Sequence, residues 1–348
     1  MARQDILELD PDSLADVMRE VGERPYRAGQ ILGWIFHRGQ REFDSMSDLP
    51  KPLRSRLEER FCVGSGRVET VQQTQDGDTR KLLLRLGDGN AVECVSMREE
   101  GRHTVCVSSQ VGCALGCRFC ATGGMGFRRN LTTGEILLQP LEVLRSAGTF
   151  DRIVFMGMGE PLLNLDAVLR AVEGLEDPRR FGLGARRITI STSGVIPGIR
   201  ALAEKNVPVR LAISLNSPFQ EQRETLMPIA KTYALGDLLA ACEDYIARTR
   251  RRVLIEYVLF RGVNSSRRAA VALAGIARRL DAKVNVIEYN FVRGANLAPP
   301  TAEETLRFRR WLQERGVAAT IRFRRGRQIR AGCGQLAAGL EDGPGDQA

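Results

Sequence analysis

A regular alternation of short apolar runs with helix-like stretches fills the second half of the chain and restricts its fold more than any other feature. The apolar runs lie at residues 152–158, 187–193, 209–215, 252–260, 283–289 and 318–323. Segments of about 10 to 20 residues with helical periodicity separate them. Strands that alternate with helices in this way pair in parallel through crossover connections. We therefore predict an α/β fold whose strands form a partial (β/α)6 barrel.

Polar motifs follow the predicted strands at the end where such barrels carry their active sites. These motifs are GMGEP at 157–161, STSG at 191–194, SLN at 214–216 and EYN at 288–290. A glycine-rich loop with three cysteines precedes them, at residues 108–123. We expect all five segments to lie on one rim of the barrel.

The beginning of the chain has a different pattern from the barrel region. Leu14, Val17, Met18 and Val21 follow the spacing of one helical face. Residues 1–62 are accordingly predicted to form a small, basic, helical accessory domain. This domain is a candidate for contact with RNA, and a structural cap on the barrel is the alternative.

Turn motifs divide the next segment into short strands. The sequences DGD, GDGN and EEGR separate alternating apolar runs, a pattern typical of hairpins. We predict a β-meander over residues 63–105, the barrel over 106–336 and a disordered tail over 337–348. Pro140 is expected to interrupt the helix that follows the cysteine loop, because proline disfavours a helix interior by about 3 kcal/mol.

Three of the eight cysteines, Cys113, Cys117 and Cys120, lie close together in the loop at residues 108–123. Clustered thiols in a reducing compartment indicate a metal or catalytic site. A zinc site would need a fourth ligand, for which Cys106 and His103 are the nearest candidates. A [4Fe-4S] cluster would bind the three thiolates on three irons and leave the fourth iron open. The cluster is favoured because it explains the odd number of cysteines.

Composition indicates a basic protein. The net charge is +9, and only five of the 51 basic residues are lysine, which suits a polyanionic partner because guanidinium groups bind phosphate. Arg128, Arg129 and residues 322–330 are candidate phosphate contacts, with solvated surface arginines as the alternative. No stretch approaches the roughly 18 apolar residues that span a bilayer, and a secretory leader is not evident. We expect a cytoplasmic protein without membrane association.

Two motifs resemble those of the radical S-adenosylmethionine (SAM) superfamily. The spacing Cys-x3-Cys-x2-Cys, with Phe119 before the last cysteine, is similar to the superfamily's cluster-binding signature. GMGEP resembles the GGEP-type motif that holds the amino group of SAM. The resemblance implies a [4Fe-4S] cluster whose open iron is chelated by SAM.

Longer matches resemble one family, the RlmN-type adenine-C2 methyltransferases of 23S ribosomal RNA and transfer RNA, with the related Cfr-type C8 enzymes. The matches include YRAGQILGWIFHRG, FDSMSDLPKPLR, CVSSQVGCALGCRFCATGGMGFRRNLTTGEI and CGQLA, and they extend over nearly the whole chain. The resemblance implies 23S rRNA and transfer RNA as partners, an electron donor such as flavodoxin, and a monomer.

The same resemblance implies a role for each site residue. Cys113, Cys117 and Cys120 would bind the cluster. SAM would be contacted by Gly159, Glu160, Ser191, Ser214, Leu215, Asn216 and Asn290. Cys333 would carry a methyl group as an intermediate, Cys106 would be its resolving partner, and Glu93 would accept a proton.

The chemistry implied by the resemblance uses two SAM molecules. The first methylates Cys333, and the second yields a 5′-deoxyadenosyl radical that takes hydrogen from the S-methyl group. The carbon radical adds to C2 of adenine, and Cys106 then attacks the Cys333 sulfur to release the product. Two other hypotheses stay open on the sequence: a Cfr-type C8 methyltransferase, and a zinc-stabilised RNA-binding protein without catalytic activity.

Overall fold

Parallel strands form the centre of the molecule, as the alternation of apolar runs and helices predicts. The structure is a computed structural model that describes residues 3–322 and 326–337. Most of the predicted tail, from residue 338 onward, therefore lies outside the described residues. The described strands are β1 (Gln4–Asp5), β2 (Phe61–Cys62), β3 (Arg67–Gln73), β4 (Thr79–Arg85), β5 (Ala91–Glu99), β6 (Arg102–Cys106), β7 (Gln110–Gly112), β8 (Phe127–Asn130), β9 (Arg152–Phe155), β10 (Ile188–Thr192), β11 (Arg210–Ser214), β12 (Val253–Leu259), β13 (Lys283–Glu288) and β14 (Ala319–Arg322).

The α-helices lie between these strands along the chain. They are α1 (Pro11–Glu20), α2 (Arg27–Leu32), α3 (Lys51–Arg60), α4 (Ala121–Gly124), α5 (Thr133–Ala147), α6 (Leu165–Glu176), α7 (Ile196–Glu204), α8 (Gln220–Leu226), α9 (Leu235–Thr249), α10 (Arg267–Arg279) and α11 (Ala302–Gln313). A π-helical turn at Gly33–His37 continues α2. None of the helices in the described part of the chain is long and apolar enough to cross a membrane.

Ten strands form one sheet, in the order β14-β13-β12-β11-β10-β9-β6-β5-β4-β3. From β6 to β14 every neighbouring pair is parallel. Six helical crossovers join these seven strands, which confirms the prediction of a partial (β/α)6 barrel. The barrel strands are buried, as shown by Ile190, Leu211, Ile255 and Val284 with at most 1% exposure.

The predicted meander is present and continues the barrel sheet. Strands β3, β4, β5 and β6 pair in antiparallel fashion one after another. β6 is therefore both the last strand of the meander and the first strand of the barrel. This shared strand places the meander beside the open edge of the barrel.

The amino-terminal segment is helical, as its apolar spacing predicts. Asp10 starts α1 by accepting hydrogen bonds from the backbone of Asp12 and Ser13, at 2.9 and 2.8 Å. The helix buries Leu14 and Met18 in the main core. The segment thus packs on the barrel through the face that its periodicity indicates.

The prediction that Pro140 interrupts its helix is wrong. Helix α5 runs through Pro140 without a break, and this proline is buried. A capping box between Thr132 and Glu135 fixes the start of the helix. Burial of nearly the whole helix stabilises it against the local cost of the proline, since tertiary packing overrides propensity.

Candidate active site

A cavity opens at the carboxyl ends of the barrel strands and contains most of the predicted site. Its walls include Cys113, Cys117, Cys120, Gly159, Glu160, Ser191, Ser214, Asn216, Glu256 and Cys333. The cysteine loop forms one side, and the ends of β10, β11 and β12 form the other. The expectation that the motifs meet on one rim is confirmed for the cysteine loop, GMGEP, STSG and SLN, and Tyr289 of EYN lines the same cavity.

Glycine geometry shapes the cysteine loop. The loop extends from β7 and returns through β8, and the two strands pair at Gly112 and Phe127. Gly112 has a φ of +73°, and a β-carbon there would collide with the carbonyl oxygen of Gly126. The backbone N–H of Cys113 donates to that same carbonyl at 2.9 Å. The three cysteines therefore lie in a short loop closed at its base by a hairpin.

The three thiols have the chemistry that an iron–sulfur cluster requires. Burial raises the pKa of Cys113 to about 11 and raises that of Cys117 further, so a bound metal must compensate the charge of these thiolates. Among the described residues, no three ligating side chains converge as they would on a single ion. In a cubane each cysteine binds a different iron. The loop fits a [4Fe-4S] cluster held by three cysteines.

Gly159 and Glu160 form a rigid corner after β9. Gly159 has a φ of +97°, and a β-carbon there would lie 2.5 Å from the β-carbon of Gln110. The Gln110 side chain also accepts the backbone N–H of Glu160 at 2.8 Å. This corner needs glycine at position 159 and directs Glu160 inward.

The Glu160 carboxylate is buried, and no cationic partner for it lies among the residues that the structure describes. Its two oxygens accept the backbone N–H groups of Ser193 at 2.8 Å and Leu162 at 3.1 Å. Burial raises the pKa of Glu160, although these hydrogen bonds oppose the rise. The hydroxyls of Thr192 and Ser193 also donate to this carboxylate. Its negative charge, buried among neutral donors, is suited to an ammonium group.

The other predicted SAM contacts divide into two groups. Ser191 and Ser214 line the cavity with their hydroxyls 3.4 Å apart. Asn216 also lines it, but its amide oxygen already accepts the backbone N–H of Val258 at 2.9 Å. Leu215 is buried behind the cavity wall, where its carbonyl accepts from Arg223.

Asn290 lies behind the Cys333 loop. Its amide nitrogen donates to the Cys333 carbonyl at 3.4 Å, and its buried amide oxygen has no partner in the described residues. A β-carbon on Gly332 would collide with this amide. Asn290 therefore contacts the loop that carries the predicted methyl acceptor.

Cys333 reaches the cavity on a loop attached to the cysteine loop. The carbonyl of Gly334 accepts the backbone N–H of Ala121 at 2.7 Å, and the carbonyl of Leu336 accepts the Thr122 hydroxyl at 2.6 Å. Although Cys333 is exposed as a whole residue, the cavity walls desolvate its thiol and raise its pKa, while the charge of Arg322 opposes the rise. The structure thus places Cys333 beside the cluster-binding loop.

Cys106 is close to Cys333 despite their separation in the sequence. It is the last residue of β6 and is 7% exposed. Burial is the main cause that raises the pKa of Cys106 to about 12, and the neighbouring Cys333 thiol adds to it. The two predicted redox partners therefore lie in one electrostatic environment.

Glu93 touches the Cys333 loop but does not line the cavity. Its carboxylate pairs with Lys81 at 2.9 Å and accepts the backbone N–H of Ala337 at 2.7 Å. Both oxygens therefore have partners. Its role as a proton acceptor stays a prediction.

Sequence reasoning missed two buried charges at the site. Glu256 lines the cavity, and a charged residue within the apolar run LIEYVL was a signal for it. Arg223 is fully buried and donates to the carbonyls of Ser193 at 2.6 Å and Leu215 at 3.2 Å. Its position in a polar helix gave no comparable signal.

The candidate phosphate contacts are not equivalent. Arg129 is held by Asp88 at 2.6 Å and by Glu135 at 2.7 Å, so its charge is already compensated within the protein. Among the described residues, Arg128 forms one hydrogen bond, to Asn90 at 3.1 Å. Part of the basic stretch at 322–330, residues 323–325, lies outside the described residues.

Comparisons with known proteins agree with the geometry of this cavity. A model of the "Radical SAM superfamily" matches residues 107–274, and a model of the "Ribosomal RNA large subunit methyltransferase N-terminal domain" matches residues 4–63. The first match includes the cysteine loop and most of the barrel. The second includes the amino-terminal helices.

Two relatives that match nearly the whole length of this chain share the RlmN name. The "Probable dual-specificity RNA methyltransferase RlmN" of Moorella thermoacetica is 46% identical over 345 residues, covering 96% of this chain and 97% of that protein. The "Dual-specificity RNA methyltransferase RlmN" of Alkalilimnicola ehrlichii is 43% identical over 342 residues, covering 97% and 94%. The crystal structure of a radical SAM methyltransferase from Sphaerobacter thermophilus superposes with a TM-score of 0.93 at 43% identity, covering 96% of this chain and 99% of that one.

Proposed function

The chain belongs to the RlmN family of radical SAM dual-specificity RNA methyltransferases, and we propose that it methylates C2 of adenosine in 23S ribosomal RNA and in transfer RNA. Its cofactors are a [4Fe-4S] cluster and SAM. The observation that carries the proposal is the single cavity that joins the three cluster cysteines to Cys333.

Cys113, Cys117 and Cys120 hold the cluster in this proposal. When bound, it supplies the electron that cleaves SAM to methionine and a 5′-deoxyadenosyl radical. The hairpin base of the loop keeps the thiolates in place.

Cys333 and Cys106 carry the methyl group and release it. The Cys333 thiolate attacks the methyl carbon of SAM and displaces S-adenosylhomocysteine. The S-methyl group then loses one hydrogen atom to the 5′-deoxyadenosyl radical, and the methylene radical bonds to C2 of the adenine. The adduct loses its unpaired electron to the oxidised cluster and its C2 proton to a base. The Cys106 thiolate attacks the Cys333 sulfur, so that a disulfide forms while the bond from sulfur to the methylene carbon breaks, and that carbon takes the electron pair and a proton to become the methyl group. This last step requires that the two sulfurs meet. The shared environment of the two thiols supports this sequence of steps.

Glu160 and the rim residues orient SAM. The buried Glu160 carboxylate binds the amino group, and the corner at Gly159 allows close approach of the backbone. Ser191, Ser214 and Asn216 contact the nucleoside from the strand ends, with Leu215 and Asn290 supporting them from behind. Glu93 is the proposed proton acceptor.

The substrate is RNA, and the finer partner assignments are proposals. The accessory domain at residues 1–62 contacts the RNA, the meander at 63–105 connects it to the barrel at 106–336, and flavodoxin is the type of electron donor expected. The protein acts as a monomer in the cytoplasm. A basic surface supports RNA binding because phosphate contacts dominate affinity for nucleic acids.

The alternatives are less well supported. The C8 chemistry is not favoured, because the relatives carry the RlmN name. The zinc-stabilised RNA-binding protein is not favoured either, because the chain matches a radical SAM enzyme family.

Product analysis tests the proposal. The full chain, reconstituted anaerobically with iron and sulfide, is incubated with dithionite, SAM, and either 23S rRNA or transfer RNA. We expect 5′-deoxyadenosine and 2-methyladenosine in the digest. The variant Cys333→Ala should lose RNA methylation, and Cys62→Ala should keep it. Finding 8-methyladenosine, or no 5′-deoxyadenosine, would contradict the proposal.

A further inference from the structure

Glu256 is a buried carboxylate in the wall of the cavity that none of the predicted roles uses. It lies on β12, is 3% exposed and lines the same cavity as Cys333 and the cluster cysteines. An ionisable side chain is rarely buried to this extent unless a partner compensates it. The hydrogen-bond partners of its two carboxylate oxygens therefore show whether the site leaves an acceptor free for a ligand.

A row of polar residues crosses the sheet at the level of Glu256. Ser214, Glu256, Asn285 and Thr320 are register partners on four adjacent strands. The Thr320 hydroxyl donates to the amide oxygen of Asn285 at 2.6 Å, and the Asn285 amide nitrogen donates to Oε1 of Glu256 at 2.9 Å. These bonds hold the carboxylate from one side and fix its orientation.

The second carboxylate oxygen has no partner. Oε2 of Glu256 is buried and has no hydrogen bond to any described residue. The charge of Arg322 acts on Glu256, but Arg322 forms its hydrogen bond with the sulfur of Met156. A carboxylate oxygen left unpaired in a protein interior is costly, so this oxygen is expected to receive a donor from a ligand.

The position of Glu256 restricts which donor this is. The amino group of SAM belongs at Glu160, which follows β9, three strands away from β12 in the sheet. The Cys333 thiol is close enough to Glu256 for their charges to interact. The 5′ carbon of SAM must approach the methyl group on Cys333. The ribose carries this carbon, so the ribose is the part of SAM that lies beside Cys333 and Glu256.

We propose that Oε2 of Glu256 accepts a hydrogen bond from a hydroxyl group of the SAM ribose. This inference rests on the proposed function, because it uses the position of Cys333 as methyl acceptor. The 2′ and 3′ hydroxyls of the ribose are hydrogen-bond donors, and the ionised Glu256 carboxylate can only accept. The row from Thr320 through Asn285 holds the carboxylate in place for this contact.

Binding of SAM analogues tests the inference. The dissociation constants of SAM and of its 2′-deoxy and 3′-deoxy analogues are measured by calorimetry on the anaerobic, cluster-loaded full chain. We expect at least one deoxy analogue to bind the wild-type protein about 10- to 100-fold more weakly, as for a charge-assisted hydrogen bond. In Glu256→Ala that difference should vanish, and in Glu256→Gln it should shrink to a few-fold.

Glu288→Ala is the matched control. Glu288 is a buried carboxylate on the neighbouring strand β13 and does not line the cavity. Its replacement should therefore leave the difference in affinity between SAM and the deoxy analogue unchanged. Equal binding of all three ligands by the wild-type protein would overturn the inference even if the Glu256 variants fail to fold. Persistent discrimination in Glu256→Ala would also overturn it. Formation of 5′-deoxyadenosine and 2-methyladenosine by the wild-type protein, measured in parallel, tests the proposed function separately.

Discussion

At the scale of single residues, backbone conformation decides where the reactive groups can lie. Gly159 adopts a φ that disfavours any side chain, and its neighbour Gln110 leaves no room for a β-carbon. The next residue, Glu160, thereby enters the interior of the barrel. The sequence motif predicts the glycine, but only the fold shows that Gln110 is the side chain that excludes a larger residue.

Replacing Gly159 by alanine tests this corner. Strain at a positive φ and the contact with Gln110 should reduce the free energy of unfolding by about 1–3 kcal/mol and weaken SAM binding. The control is Gly184→Ala, since a β-carbon at Gly184 meets no atom within 4 Å. Urea unfolding and calorimetric titration measure the two effects. Unchanged SAM affinity in Gly159→Ala would show that the corner is not part of the site.

The pKa of Cys106 predicts a pH dependence for product release. Burial raises this pKa to about 12, so below that pH the reactive thiolate increases tenfold with each unit. Starting from protein already methylated at Cys333, we expect the decay of the RNA–protein adduct to accelerate about tenfold per unit between about pH 7 and 9. Rapid quenching and gel analysis follow the adduct. A rate that does not change with pH would mean that another group removes the Cys106 proton.

At the scale of elements, periodicity and turn chemistry predict most helices and strands. The Thr132 and Glu135 pair marks the start of α5, and the glycine turns mark the meander. Pro140 shows where local rules fail, because burial of α5 stabilises the helix in spite of its proline. The pairing of Arg129 with Glu135 also escaped prediction, since it depends on how β8 packs against α5.

Two adjacent arginines on β8 should behave differently when replaced. Arg129→Ala removes the partner of Glu135, whose side chain is 6% exposed, and should cost about 1–3 kcal/mol of unfolding free energy. Arg128→Ala should change stability by less than about 0.5 kcal/mol but lower RNA affinity and reduce the salt slope by about one unit. Urea unfolding and RNA binding at several salt concentrations distinguish them. An unchanged salt slope in Arg128→Ala would remove it from the RNA interface.

At the scale of the whole molecule, the topology of the sheet brings Cys106 and Cys333 near each other although they are far apart in the sequence. β6 and β14 are the first and last strands of the parallel region, and the segment from 326 to 337 returns from β14 to the cysteine loop. This return places Cys333 close enough to Cys106 for the two thiols to influence each other electrostatically. The alternation of strands predicts the barrel, but the spacing of the strands along the chain does not predict that the two cysteines lie near each other, which only the family resemblance indicated.

Trapping the RNA adduct tests the central claim most directly. Without the Cys106 thiol, nothing should attack the Cys333 sulfur, so the variant Cys106→Ala should stay covalently linked to its RNA. After anaerobic turnover and digestion, mass spectrometry should find a methylene bridge between adenine C2 and the peptide that contains Cys333. Release of 2-methyladenosine by Cys106→Ala at the wild-type rate, with no linked peptide, would contradict the account.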